Sequence, residues 1–309
     1  MDNLIVAGLE TAVGANLAAG LGASLSVTGV VLGGAPVTVP HCRLESPGDG
    51  SVTGLQRWLG LQQADRVVLC GPGATSGWDE ARRPTAADAQ ICRQWIEACG
   101  AAGVPLTLIS SDAVFTGPWM FHAESSDSWC PSPEATLLRQ LESCAADANP
   151  NNLILRTHAF GWTPGAGQGW LERVLSSLAA GETVALDCVR YASPILASDL
   201  CQPLLKAWEG GLQGCYHLAG AERVNPVAFV RKLANEFALP LPRVMPVESL
   251  ISRVQGYGCG ETSLQTRQLR RALGVSLPLV GEGLRRLYQQ HVEGYRSSLQ
   301  QLDLARRAA

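Results

Sequence analysis

The chain has 309 residues, of which 46% are hydrophobic, and its formal net charge is −3. This is long enough for one large globular domain or for two interleaved ones. The absence of a basic stripe argues against nucleic acid as a partner, and no apolar run reaches the ~18 residues of a membrane span. The N-terminal sequence MDNLIVAGLE has no basic region, so the sequence predicts a cytoplasmic protein without a signal peptide.

Apolar runs and helical segments alternate over the first half of the chain. Strands are predicted at NLIVA (3–7), LSVTGVVLGG (25–34), DRVVLCG (65–71), VPLTLISS (104–111) and NLILRT (152–157). Helices are predicted between them, the first at GANLAAGLGA and the last at PSPEATLLRQLES (131–143). This alternation predicts an α/β fold, a Rossmann-like, doubly wound parallel sheet with helices on both faces.

The second half of the chain has shorter strands and ends in a helical segment. Its pattern predicts a smaller α/β lobe and then a long helix from about Gly281, with apolar residues at three- and four-residue steps. The sequence therefore divides into a Rossmann-like domain at 1–160, a smaller substrate-type lobe at 161–280 interleaved with it, and a C-terminal helix at 281–309.

Ten cysteines are dispersed along the chain without a CxxC pair, and there are only five histidines. Dispersed thiols of this kind are typical of a protein in a reducing compartment, where they stay unpaired. The sequence therefore predicts no metal site.

Four segments, in order, carry a resemblance to a known family. They are LTLISSDAVFTG (106–117), LILRTHAFGW (153–162), the stretch from YASPILASDL to YHLAG (191–220) and ETSLQTRQLRRALG (261–274). Together they resemble the extended short-chain dehydrogenase/reductase superfamily, in its dTDP-4-dehydrorhamnose reductase-like, sugar-nucleotide-binding branch. The resemblance reaches to about residue 290, and it implies an NAD(P)-binding domain with a lobe for a nucleotide sugar.

The resemblance also assigns catalytic positions. Ser111 matches the residue that orients the substrate carbonyl, and the tyrosine and lysine of the family's YxxxK pair fall near Glu134 and Leu138. All five tyrosines lie after residue 190, and the only lysines are Lys206 and Lys232. A phenol needs a neighbouring cation to transfer protons at neutral pH, so the usual proton donor is predicted to be absent. Ser111 and Glu134 remain as catalytic candidates, although Glu134 also suits a first-turn residue that complements the helix dipole.

The predicted dinucleotide turn departs from the family's GxxGxxG pattern. It reads GLETAVG from Gly8 to Gly14, with Thr11 where the resemblance implies the middle glycine. Glu10 and Thr11 are expected to cap the following helix themselves and to take the place of a phosphate, which implies weak NAD(P) binding or none. The candidate cofactor-binding residues are Gly8, Thr11, Gly14, Gly71 and Ser111.

The end of the second predicted strand also lacks an expected residue. Relatives carry a charged residue there that reads the adenosine ribose, whereas this strand ends Leu32-Gly33-Gly34 with no charge nearby. His41 and Arg43 follow in a predicted loop and are expected on the surface.

These losses favour a catalytically degenerate member of the superfamily, acting as a binding, regulatory or assembly subunit. Its predicted contact is a protein partner or a second copy, through the C-terminal helix, with a small nucleotide ligand as a further possibility. One alternative is an active NAD(P)-dependent reductase or epimerase of a nucleotide sugar, in which Ser111, Asp112 and Glu134 replace the missing acid. Another is a non-catalytic sensor of a nucleotide or sugar nucleotide.

Overall fold

A parallel sheet of seven strands forms the centre of the molecule in the computed structural model, which describes residues 3–34, 36–165, 169–184, 186, 188–244 and 256–300. The strands of the described residues are β1 (Asn3–Ala7), β2 (Ser26–Val30), β3 (Cys42–Leu44), β4 (Arg66–Leu69), β5 (Leu106–Ser111), β6 (Leu153–Thr157), β7 (Ala159–Phe160), β8 (Thr183–Val184), β9 (Ile195–Leu196), β10 (Gly214–His217) and β11 (Arg243–Val244). The large sheet has the order β10-β6-β5-β4-β1-β2-β3, while β11 pairs with β8 and β7 with β9. The predicted doubly wound sheet is confirmed.

Helices cover both faces of this sheet. They are α1 (Ala12–Leu21), α2 (Val52–Leu61), α3 (Ala86–Ala102), α4 (Pro133–Ala148), α5 (Trp170–Ala179), α6 (Cys201–Glu209), α7 (Pro226–Glu236), α8 (Arg267–Leu273), α9 (Val280–Val292) and α10 (Tyr295–Gln300). Successive residues of β1 point to opposite faces, so Leu4 and Val6 join the core under α1 and α6, and Ile5 and Ala7 join the core under α2 and α3.

The strand order places the site. The strand order reverses at β1: β2 and β3 lie on one side of it, and β4, β5 and β6 lie on the other. In doubly wound sheets, ligands bind outside the carboxyl ends of the strands at such a reversal. The loops after β1, β2, β4, β5 and β6 therefore surround the expected cleft.

Several elements differ from the sequence prediction. The segment Cys42–Leu44, expected in a loop, pairs in parallel with β2 as the edge strand β3, although Arg43 is exposed as predicted. The C-terminal helix consists of α9 and α10, which are separated at Gly294 with φ +80°. A glycine takes up that left-handed conformation without the steric cost of a side chain, which explains the break. Residues 301–309 of the predicted helix lie outside the described residues.

Part of the apolar face of the C-terminal helices packs on the molecule itself. Leu284 and Leu299 are buried, whereas Tyr288 is 38% and Val292 66% exposed. In the described part of the chain, no helix combines the length and the apolar character needed to cross a membrane.

Candidate active site

The turn between β1 and α1 requires its two remaining glycines. Gly8 has φ +99°, and a Cβ added there would lie 2.0 Å from the carbonyl oxygen of Cys70. A Cβ on Gly14 would lie 2.1 Å from the carbonyl oxygen of Gly8. Close packing between the strand ends and the helix start therefore fixes both positions.

Thr11, in the middle of the turn, is the N-cap of α1. Its Oγ1 donates to the carbonyl oxygen of Gly8 at 2.8 Å and accepts the N–H of Gly14 at 2.9 Å. The first turn of a helix has N–H groups without partners inside the helix, and these commonly bind phosphate. Thr11 uses one of them, as the sequence predicted.

Glu10 does not cap α1, and that expectation was wrong. Its two carboxylate oxygens accept the N–H groups of Leu32 and Gly33, both at 3.1 Å. Burial raises the pKa of Glu10, while those N–H groups and the charge of Arg82 act in the opposite direction. The carboxylate thus stands at the carboxyl end of β2, where the sequence alone offered no charged group.

Two cavities run along the carboxyl edge of the sheet, on either side of the start of α1. The first has a volume of about 370 Å³, within the range of ligand pockets, and it is lined by Glu10, Thr11, Gly33, Gly71 and Arg83 among others. The second is a narrow slot of about 40 Å³ whose lining includes Ala12, Ser76, Phe160, Gly161 and Trp170. Thr75 and Arg82 line both cavities, so the two form one track from the end of β2 to the end of β6.

The lining of this track suits the phosphates of a dinucleotide. Gly33 and Gly71 present no side chain to it, and Arg82 is a cation shared by both cavities. The residue that fits less well is Thr11, because its hydroxyl occupies an N–H group of the first turn.

The two catalytic candidates from the sequence are not joined to each other by a hydrogen bond. Ser111 ends β5 and is 1% exposed; its Oγ donates to Asp112 Oδ1 at 3.3 Å and accepts the N–H of Ala113 at 3.1 Å. Glu134 lies in the first turn of α4 and pairs with Arg83 at 3.5 Å. Both side chains therefore have other partners, and their catalytic assignment stays a prediction.

A tyrosine reaches this region from the other end of the chain. Tyr257 is 2% exposed and packs in an apolar cluster that includes Phe115, Ala135 and Leu138. No described residue accepts or donates a hydrogen bond of normal geometry at its hydroxyl. Burial raises the pKa of this phenol far above its ordinary value, with the Ser111 hydroxyl acting in the opposite direction.

Tyr257 therefore fills the space between Ser111 and α4. Tyr257 could not be placed here from the sequence, because it lies far from α4 along the chain. The next glycine, Gly258, lies so close to the backbone of Gly77 that an added Cβ would be 2.3 Å from its carbonyl oxygen, which shows how tightly this segment packs.

A chain of polar side chains lies beside the slot. Ser76 Oγ is 2.9 Å from His158 Nε2, and His158 Nδ1 is 2.9 Å from Asp112 Oδ2. Thr262 Oγ1 donates to the same carboxylate oxygen at 2.5 Å. His158 is 2% exposed, while Ser76 is half-buried and lines the slot.

Sequence reasoning missed Ser76 and His158, although a signal was present. Ser76, Asp112 and His158 follow β4, β5 and β6, which are neighbours in the sheet. The carboxyl ends of neighbouring parallel strands meet at one edge, so polar residues just after them tend to converge.

Comparison with known proteins agrees with this geometry. Residues 59–292 match the family of the RmlD substrate binding domain. The chain belongs to this family. A curated relative, the probable low-salt glycan biosynthesis reductase Agl14 of Haloferax volcanii, is 27% identical over 187 residues, which are 54% of this chain and 62% of that protein.

Solved structures of similar fold include three enzymes with bound dinucleotides. The dTDP-4-dehydrorhamnose reductase of Bacillus anthracis in complex with NADP has a TM-score of 0.74 at 16% identity, covering 94% of this chain and 99% of that one. WbmH of Bordetella bronchiseptica with NAD+ gives 0.72 at 14%, covering 94% and 99%. The UDP-glucuronic acid 4-epimerase of Bacillus cereus with NAD gives 0.70 at 15%, covering 96% and 98%. At these identities the likeness shows the fold, and the predicted reductase-like branch is confirmed by the family match.

Proposed function

We propose that this protein is an NAD(P)H-dependent reductase that acts on a carbonyl group of a nucleotide-linked sugar. The observation that carries the proposal is the track over the start of α1, which ends at the polar chain of Ser76, His158 and Asp112. A cofactor bound along this track would lie beside groups that can move a proton.

The family relationship supports the same choice. The matched relatives include a probable glycan biosynthesis reductase and a dTDP-4-dehydrorhamnose reductase. The reductase alternative of the sequence analysis is therefore favoured over the regulatory subunit, which was its first hypothesis. The alignment covers 62% of the length of the curated relative, so that protein's activity is only proposed for this chain.

The cofactor-holding residues follow from the track. Gly71 would lie against the dinucleotide, Arg82 would face its negative charge, and the Glu10 carboxylate would reach a ribose hydroxyl from the end of β2. Gly8 and Gly14 are assigned to the cofactor by the family resemblance of the turn. When bound, the reduced nicotinamide supplies a hydride. A carboxylate at this position repels a 2′-phosphate, so NADH is expected to bind more tightly than NADPH.

The test combines binding and turnover. Calorimetry measures the affinity for NADH and NADPH, and the oxidation of each is then followed with a panel of nucleotide-linked 4-ketosugars. The matched control is the same nucleotide sugar with a hydroxyl in place of the carbonyl. Carbonyl-dependent oxidation supports the proposal, and its absence with every substrate and both dinucleotides contradicts it.

One observation favours the regulatory subunit as a second candidate. The positions that the resemblance assigns to the catalytic pair hold Glu134, which pairs with Arg83, and Leu138, which is buried beside Tyr257. Ligand binding without turnover in the same assay would indicate a sensor. Absence of both would leave an assembly role through a protein partner or a second copy, with the C-terminal helix as the contact that the sequence predicts.

A further inference from the structure

The tyrosine and lysine of the family's pair are missing here, so a reduction would need another source for the proton. Reduction of a carbonyl needs a proton on the oxygen as well as a hydride on the carbon. Ser111 and Tyr257, at 1% and 2% exposed, line neither cavity of the track. Ser76 is the member of the polar chain that is half-buried and lines the slot.

We propose that the hydroxyl of Ser76 donates the proton to the substrate carbonyl and that His158, held by Asp112, returns a proton to Ser76. This inference rests on the proposed reductase function. In this proposal Ser76 is a catalytic residue, whereas His158 and Asp112 are positioning residues that act through the Ser76 hydroxyl.

The hydrogen bonds set the direction of transfer. Both oxygens of Asp112 lie within 3.1 Å of His158 Nδ1, so this nitrogen carries a proton in either charge state of the ring. In the imidazolium form Nε2 also carries one and donates it to Ser76 Oγ at 2.9 Å. The hydroxyl proton of Ser76 is then free to point into the slot.

Neighbouring groups hold the array in place. The hydroxyls of Thr262 and Ser111 donate to the oxygens of Asp112. The ring of Trp78 packs 4.4 Å from that of His158. The backbone N–H of Trp78 donates to Ser76 Oγ at 3.2 Å and keeps the hydroxyl in place.

The charged groups that face this array come from several elements. Arg82 and Asp79 line the slot, and Asp79 is paired with Arg173 of α5.

The atoms and electrons balance in one step. A reduced nicotinamide held in the track would supply a hydride, with its electron pair, to the carbonyl carbon, and the electrons of the C=O π bond would move to oxygen. That oxygen takes the proton of Ser76, and Ser76 takes the proton of His158 Nε2. The imidazole is then neutral, with its remaining proton on Nδ1 and hydrogen-bonded to Asp112, and a proton from solvent restores Nε2–H before the next turnover.

The order serine, histidine, aspartate is also that of a hydrolytic triad. The slot lies next to the start of α1, within a track whose lining suits the phosphates of a dinucleotide, and this favours proton delivery over acyl transfer. Activated-ester hydrolysis that depends on Ser76, in a protein without reductase activity, would overturn the relay.

The principal test substitutes Ser76 and His158 in the full chain. S76A is expected to lower kcat by roughly 100-fold or more, the usual contribution of general acid catalysis, with KM and dinucleotide affinity unchanged. S76T keeps a hydroxyl and should retain most of the activity. H158Q is expected to lower kcat as well, with KM and dinucleotide affinity unchanged.

The chain offers a matched control pair. His122 is also buried and lies 3.1 Å from a serine hydroxyl, that of Ser126, without lining the slot. H122Q and S126A should therefore leave kcat and its pH profile unchanged.

The outcomes separate the two proposals. No turnover by the wild type would overturn the reductase function and the relay together. Turnover that S76A and H158Q both retain would overturn the relay alone.

A spectroscopic measurement does not depend on activity. Long-range 1H–15N spectra of the histidine rings show which nitrogen carries the proton in the neutral state. The relay requires that the proton of the neutral ring is on Nδ1 of His158, as the contact of this nitrogen with Asp112 implies. A neutral ring with its proton on Nε2 would overturn the proposal.

Discussion

Thr11 and Glu10 show how two side chains modify a dinucleotide turn without changing its backbone. Gly8 and Gly14 could be predicted as fixed positions from their spacing, and Thr11 as a cap from its residue type. The contact from Glu10 to Leu32 and Gly33 could not, because it joins residues 22 and 23 positions apart. A carboxylate next to the start of a helix can either cap that helix or bind other N–H groups, and the tertiary structure determines which of the two occurs.

Replacing Thr11 with glycine tests what the cap does. T11G frees the Gly14 N–H and removes the branched side chain, so NADH should bind more tightly. The free energy of unfolding should fall by a few tenths of a kcal/mol to about 1 kcal/mol, because a glycine N-cap costs little. Calorimetry and urea unfolding measure the two effects. T11S keeps the cap and is the control; an unchanged affinity in T11G would mean that Thr11 does not limit binding.

Tyr257 leads to a second prediction at the level of one residue. Its hydroxyl is buried without a partner in the described structure, so Y257F should leave the free energy of unfolding unchanged or raise it, by up to about 1–3 kcal/mol. Y257A should lower it by about 3–5 kcal/mol, because it leaves a cavity among Phe115, Ala135 and Leu138. Urea unfolding gives both values.

The same variant separates two proton donors. Because Ser76 delivers the proton in the proposed reaction, Y257F should keep its kcat. Loss of turnover in Y257F, with folding intact, would instead identify Tyr257 as a donor that replaces the family's tyrosine from the other end of the chain.

At the level of elements, a buried ion pair ties α4 to the sheet. Arg156 of β6 contacts Glu142 of α4 through two hydrogen bonds, at 2.9 and 2.6 Å. Ser110 of β5 donates to the same carboxylate at 2.5 Å, and Arg156 Nη1 lies 3.5 Å from His217 of β10. Three strands and one helix therefore share a single buried network.

Breaking this pair should be costly. E142Q leaves the guanidinium of Arg156 buried without its counter-charge, so the free energy of unfolding is expected to fall by about 3–5 kcal/mol. The matched control is E134Q on the same helix, which removes a partly exposed pair with Arg83 and should cost less than about 1 kcal/mol. Equal effects in denaturant unfolding would contradict the role given to the network. A large loss of kcat in E134Q would instead support Glu134 as an acid.

The sequence predicts elements better than their contacts. Strand and helix order follow from periodicity, which is local, so β1, β2, β4, β5 and β6 were found. The short edge strand β3 was missed because three residues carry too little periodicity, and pairing with β2 defines it. Ser76 and His158 are 82 positions apart, so only the register of the sheet brings them together.

For the whole molecule, buried histidines make stability depend on pH. Burial and the charge of Arg156 lower the pKa of His217 to about 3, and burial lowers that of His122. In the unfolded chain these rings have pKa values of about 6.5. Below about pH 6.5 the unfolded chain therefore binds protons that the folded protein does not, and stability falls towards pH 3. Burial raises the pKa of Glu10, Glu172 and Asp199, which acts in the opposite direction.

A comparison of variants isolates the histidine contribution. Between pH 6 and pH 4, H217N should lose less stability per pH unit than the wild type, by up to about 1.4 kcal/mol per unit. Urea unfolding at several pH values measures the slopes. The wild type, unfolded in the same buffers, is the control for the slope. A parallel slope in H217N would contradict the assignment.

The most direct test of the proposed function follows the hydride. The protein is incubated with a nucleotide-linked 4-ketosugar and with NADH or NADPH that carries deuterium at the transferable position of the nicotinamide ring. Mass spectrometry of the sugar product should show one deuterium gained per molecule, faster with NADH than with NADPH, and strongly reduced in S76A. Recovery of unlabelled ketosugar with both dinucleotides would contradict the function proposed for this chain.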